Sequence, residues 1–174
     1  MRGSGGFTLV EVLVALFVAA LGIAGAAGLQ TLALRSAQEA ARLSDGTRLA
    51  ATLAERMRAN PPAMALPDAG NPYLQLDYDT SAGPPAPVAP CFADDACDAL
   101  QFARFDLFEV SQALAARFPG GRILVCRDAV PAVRWGCASG AGAPMVAKLG
   151  WSDGAADTGG RLPKLLLTLP GAAP

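Results

Sequence analysis

Residues 7–29 read FTLVEVLVALFVAALGIAGAAGL, and this stretch decides the fold. Glu11 is its only charge, and Val12 to Leu29 carries none. As a helix it spans roughly 35 Å, enough for a hydrocarbon core of about 30 Å. No later segment of the chain comes near this apolar length, so a single membrane segment is expected. It follows a six-residue leader, Met1 to Gly6, with one positive charge at Arg2.

The rest of the composition removes most enzyme classes. The chain has 174 residues, enough for one ordinary domain plus an appendage. It has no histidine, which excludes His-based triads and nearly every catalytic zinc site. Lysine occurs only at 148 and 164, leaving no candidate for a Walker-type phosphate loop. With 14 Lys+Arg against 15 Asp+Glu, the basic excess that nucleic-acid binding needs is missing. A non-catalytic role without cofactor or metal is expected.

Two readings compete for the N-terminal segment. An ordinary secretory signal would end at Ala24-Gly25-Ala26, which fits a signal-peptidase site. Glu11 inside the apolar run argues against it, as does the helical pattern that continues beyond the run. The other reading rests on the junction Gly6-Phe7-Thr8-Leu9-Val10-Glu11, which resembles the class III signal of type IV pilins and pseudopilins. In that family a prepilin peptidase cuts after the glycine and methylates the new amino terminus. The resemblance therefore implies cleavage between Gly6 and Phe7 and N-methylation of Phe7. The small Gly5-Gly6 pair leaves room for a peptidase at the backbone.

Glu11 has a physical reason to matter. A carboxylate in an apolar helix needs a partner. The amine freed at Phe7 lies one helical turn away, because residues four apart share a face. In the family, the matching glutamate meets the terminal amine of a neighbouring subunit during assembly. Its presence separates this chain from the pseudopilin type that lacks it and caps the filament. Gly22, Gly25 and Gly28 stand where major pilins carry a helix-breaking proline. They permit close helix approach or local unwinding.

From Gln30 to Asn60 there is no proline. Apolar or small residues recur at Leu29, Leu32, Ala33, Ala40, Leu43, Ala50, Leu53, Ala54 and Met57, a stripe at helical spacing. The expected helix runs from Phe7 to Ala59 and stops at Asn60-Pro61-Pro62. Arg56 and Arg58 read as a solvated last turn that complements the helix dipole.

The remainder divides into three parts. Residues 61–90 hold eight of the fourteen prolines and read as irregular surface loop, with an extended piece at Tyr73 to Leu76. Leu100, Ala103, Leu107, Val110, Leu114 and Phe118 mark a second amphipathic helix, closed by Pro119-Gly120-Gly121. Four strands are then expected: 122–127 and 132–137 as a hairpin about 128–131, then 145–151 and 164–169, the last two joined by a glycine-rich turn at 152–161. The fold class is α+β and pilin-like: a long N-terminal helix against a small antiparallel sheet, with one additional helix.

An even cysteine count on the exported side of a membrane reads as two local disulfides. Four cysteines allow three connectivities, and sequence proximity favours Cys91–Cys97 with Cys126–Cys137. A structural zinc site is the rival, but the spacing does not suit it. Asp94, Asp95 and Asp98 offer oxygen ligands to calcium, yet read better as a helix start. Trp135 and Trp151 read as sheet-core aromatics.

Later residues narrow the resemblance. The run ending Met57-Arg58-Ala59-Asn60-Pro61, the helix closing on Leu114-Ala115-Ala116-Arg117-Phe118-Pro119-Gly120-Gly121 and the Val125-Cys126 strand are similar to minor pilins of the PilV class. The I-type minor pseudopilin of type II secretion shares these looser features. The expected organisation is a leader at 1–6, a transmembrane and assembly helix at 7–29, its amphipathic continuation at 30–60 and an exported head at 61–174. The resemblance implies insertion in the inner membrane, then placement in a pilus-tip complex. Implied partners are a prepilin peptidase, other minor and major pilins through the N-terminal helix, and a tip adhesin. A membrane-anchored periplasmic enzyme or ligand-binding protein that never polymerises is the reading from another class. It requires a convergent polar pocket, and the sequence assembles none.

Overall fold

A computed structural model describes residues 6, 8–92, 97–140, 142–152 and 162–170. Phe7, Asp94, Asp95 and most of the expected turn at 152–161 lie outside the described residues. The chain divides into two units between Ala41 and Arg42, which are taken separately below.

One helix, α1, covers Leu9–Ala59. The absence of proline over this range and the long apolar run allow it to propagate, and Asn60-Pro61 ends it. In the first unit every described residue from Thr8 to Ala41 is exposed. In the second unit α1 packs inward through Gly46, Leu49, Ala50, Leu53, Ala54 and Met57. The buried stripe therefore begins at Gly46. Leu29, Leu32 and Leu43, expected in the same stripe, are exposed.

After α1 come a single turn α2 (Pro61–Met64), two 3-10 turns and a short strand β1 (Asp77–Asp79). The expected extended piece at 73–76 is instead the 3-10 turn Pro72–Gln75, because the Asn71 side chain accepts a hydrogen bond from the Tyr73 amide and starts a turn. The connector is also less superficial than its prolines suggest: Ala63, Met64, Tyr73 and Leu76 are buried. Helix α3 (Ala99–Arg117) begins at a reciprocal capping box, in which Asp98 and Gln101 each bond the other's backbone amide at 2.7 and 2.8 Å.

Three further strands complete the sheet: β2 (Arg122–Arg127), β3 (Met145–Gly150) and β4 (Leu165–Thr168). The order is β1-β2-β3-β4, with all three pairings antiparallel. Ile123 pairs with Leu149, and Leu149 with Leu165. The expected strand at 132–137 is absent, and β2 pairs directly with β3. The reason lies in the backbone carbonyls of Arg134 and Gly136, which accept from the buried Lys148 ammonium at 3.0 and 2.8 Å instead of joining a ladder.

Period-two alternation then sorts the sheet into two faces. Ile123, Val125, Met145, Ala147 and Leu149 meet Leu53, Met57, Ala103, Val110 and Leu114 of the helices in one core. Gly46 lets α1 come close: a Cβ there would stand 3.0 Å from Leu149 and 3.2 Å from Trp151. The opposite face carries Arg122, Cys126, Val146, Lys148 and Gly150, and the loop 128–144 covers it through its contacts with Lys148, Cys126 and Gly150. Gly150 is needed at its position, since a Cβ would sit 2.9 Å from the Trp135 ring. Trp135 is accordingly half-buried on this outer face beneath the Arg122 guanidinium at 4.7 Å, while Trp151 is wholly buried.

Candidate assembly site

The start of α1 is built by a local cap. The Thr8 hydroxyl accepts from the Glu11 amide at 3.3 Å, satisfying one of the orphan donors of the first turn. The Thr8-x-x-Glu11 spacing that encodes this cap is visible in the sequence, although the apolar run beside it draws attention away. Glu11 thereby lies in the first turn of α1. Gly6 is exposed ahead of the helix, with no neighbour within 4 Å of a Cβ built on it.

The surface that follows is apolar on every side. Leu9, Val10, Leu13, Leu16, Phe17 and Ile23 are all more than half exposed. An 18-residue window reaches a mean hydropathy of 2.5, and none of it is buried within the chain. A helix apolar all round is stable only inside lipid or among similar helices. Gly22, Gly25 and Gly28 have open space at their Cβ positions, so none is required by contacts within this chain.

The head is braced by two polar clusters that join distant parts of the chain. In the first, Arg56 of α1 donates to Asp106 of α3 at 2.9 Å and to Glu109. Asp106 also accepts from the Tyr73 hydroxyl at 2.8 Å, and Asn60 donates to that hydroxyl and to the Ala99 carbonyl. Burial pushes the Tyr73 phenol up, and the bond to Asp106 adds to the shift, so it stays a donor. Burial works against the Arg56 charge, but Glu109 and Asp106 outweigh it and raise the group above its ordinary value. Arg56 is thus an interhelical tie and not part of a solvated last turn. Arg58 does face solvent, paired with Glu55.

The second cluster lies under the loop 128–144. Lys148 donates to Asp128 at 2.6 Å, and both side chains are fully buried. The other Asp128 oxygen accepts from the amides of Val130 and Ala138 at 3.2 and 3.0 Å. The Lys148 bond and these amides hold the Asp128 carboxyl down at about 2. Disulfides close between Cys91 and Cys97 and between Cys126 and Cys137. Asp98 caps α3, and among the described residues no group of three potential metal ligands forms.

Two family models match. Residues 1–27 match the prokaryotic N-terminal methylation motif, and residues 28–108 match the model described as Tt1218-like, type IV pilin Tt1218. Neither a curated protein nor a solved structure matches the chain. The motif implies processing by a prepilin peptidase and assembly with other pilins, and with the apolar helix it fits membrane anchoring. The capped apolar helix, the α+β head and the two adjoining matches, which together span residues 1–108, support a place among the type IV pilins, a family of structural subunits and not of enzymes.

Proposed function

We propose that this chain is a minor pilin of the PilV class. Residues 7–29 hold it in the inner membrane, residues 30–60 extend that helix, and residues 61–174 form the exported head. A prepilin peptidase trims it after Gly6 and methylates Phe7. The apolar helix then enters a tip complex with other minor pilins and a tip adhesin, supporting fibre assembly, adhesion and twitching motility. The observation that carries this reading is one carboxylate, Glu11, in the first turn of a helix exposed and apolar on all sides.

In this mechanism the membrane holds the helix until a bundle of like helices replaces the lipid. Van der Waals packing alone fixes neither depth nor register in such a bundle. An ion pair between Glu11 and a neighbour's N-terminal amine does both, because an unpaired carboxylate inside the bundle costs about 3–5 kcal/mol. Glu11→Ala should therefore leave membrane insertion and trimming intact and remove the chain from sheared surface fibres. Wild-type amounts of the variant in those fibres would count against the role given to Glu11.

A further inference from the structure

Chain length alone settles the partner of Cys126 only weakly. Cys126 lies 11 positions from Cys137 and 29 from Cys97. Loop-closure entropy grows slowly with length, so it favours Cys137 over Cys97 by only about fourfold.

What holds Cys137 in place is not sulfur. An ammonium carries three donors, and burial demands a partner for each. Lys148, fully buried within β3, directs its three at the Asp128 carboxylate and the Arg134 and Gly136 carbonyls, at 2.6, 3.0 and 2.8 Å. All three acceptors belong to the loop 128–144. On the far side of the cysteine, the Ala138 amide donates to Asp128 at 3.0 Å, and the Ala138 carbonyl accepts from the Ala129 amide at 2.7 Å. Both neighbours of Cys137, Gly136 and Ala138, are thus fixed by bonds that contain no sulfur. Cys126 sits on β2 opposite Val146, on the same face of the sheet as Lys148. The two cysteine Cα atoms stand 6.4 Å apart, within disulfide reach.

We infer that Lys148 guides disulfide pairing in the head: it docks the loop 128–144 on the sheet while the cysteines are still thiols and presents Cys137 to Cys126. Burying Lys148 in β3 requires the loop whatever the state of the sulfurs, because among the described residues its bonds all go there. The sheet closes first, and oxidation follows on a pair already aligned. One cysteine thiolate attacks the disulfide of an oxidant such as oxidised glutathione and releases a glutathione thiolate. The other then attacks the mixed disulfide, forms the Cys126–Cys137 bond and releases the second glutathione. Two electrons pass from the cysteines to glutathione, and the two thiol protons are released. The disulfide then locks an arrangement it did not create. Guidance by Lys148 lies in the head alone, and its failure would leave the reading as a pilin standing.

The test re-oxidises the full chain in detergent with a glutathione redox buffer, after reduction and unfolding in urea, and maps the pairs by peptide mass spectrometry. Wild type should form Cys126–Cys137 at least about fortyfold more than Cys97–Cys126, tenfold beyond the chain-length preference. Lys148→Met keeps the bulk and removes the ammonium. It should fall to about fourfold, the value wild type shows when re-oxidised in urea. Equal selectivity in wild type and Lys148→Met would overturn the inference. A variant that fails to fold would scramble for another reason, so a second measurement uses wild type alone. In the reduced chain, the Ala129 and Ala138 amides should exchange hydrogen at least about tenfold more slowly than in urea. Exchange of both at the unfolded rate would equally overturn it.

Discussion

Lys148 and Asp128 show what a single residue decides in this head. A lysine in the middle of a fully buried strand leaves its ammonium no water, so an anion and two carbonyls take water's place. The Asp128 carboxyl titrates at about 2 when folded against 3.8 ordinarily. A depressed folded value stabilises the head above the unfolded pKa, and that contribution fades as pH falls from about 4 towards 2. Asp128→Asn lacks it at every pH. Thermal melts of the full chain in detergent should therefore show wild type and Asp128→Asn far apart at pH 5 and converging by pH 2; a gap independent of pH would contradict the ion pair. At this scale the sequence is partly readable. Asp98 as a helix start follows from its position before an apolar periodicity, and Glu11 stands out as the one charge in its run. Arg56 does not stand out, because its anchors Asp106 and Glu109 lie about fifty positions away. No local pattern signals a pair so distant.

At the scale of elements, α1 serves two environments. Leu21 and Leu53 are the same residue type on one helix, yet Leu21 is 58% exposed and Leu53 not at all. Leu53→Ala should cost the head about 2–5 kcal/mol in denaturant unfolding followed by the buried Trp151, through lost burial and the cavity left behind. Leu21→Ala should leave that midpoint unchanged and act only on membrane insertion or helix association. Equal effects would mean that the first turns of α1 also belong to the head. Strands β2, β3 and β4 were legible because their alternating apolar residues point to one core, although β3 is buried on both faces. The segment 132–137 alternates just as well through Val133, Trp135 and Cys137, yet it is loop, since its carbonyls serve a lysine far along the chain. Strand β1 was invisible for the opposite reason: Asp77-Tyr78-Asp79 offers one apolar residue, and Tyr78 is its sole contribution to the core. Non-local partners decided both cases.

For the molecule as a whole, the proposed function joins a processable apolar helix to a head closed by two disulfides. Two disulfides suit the oxidising side of the membrane, and each contributes on the order of 2–4 kcal/mol by restricting the unfolded chain. The family that the two matches point to is one of structural subunits and not of enzymes. The proposal rests on an amine that cleavage would make, a carboxylate one turn behind it and an apolar shaft for both to travel on. Mass spectrometry of the mature protein from cells with an active prepilin peptidase tests that account most directly. It should find a chain that begins with N-methyl-Phe7. A chain that keeps Met1 to Gly6, or one that begins at Ala27, would contradict it.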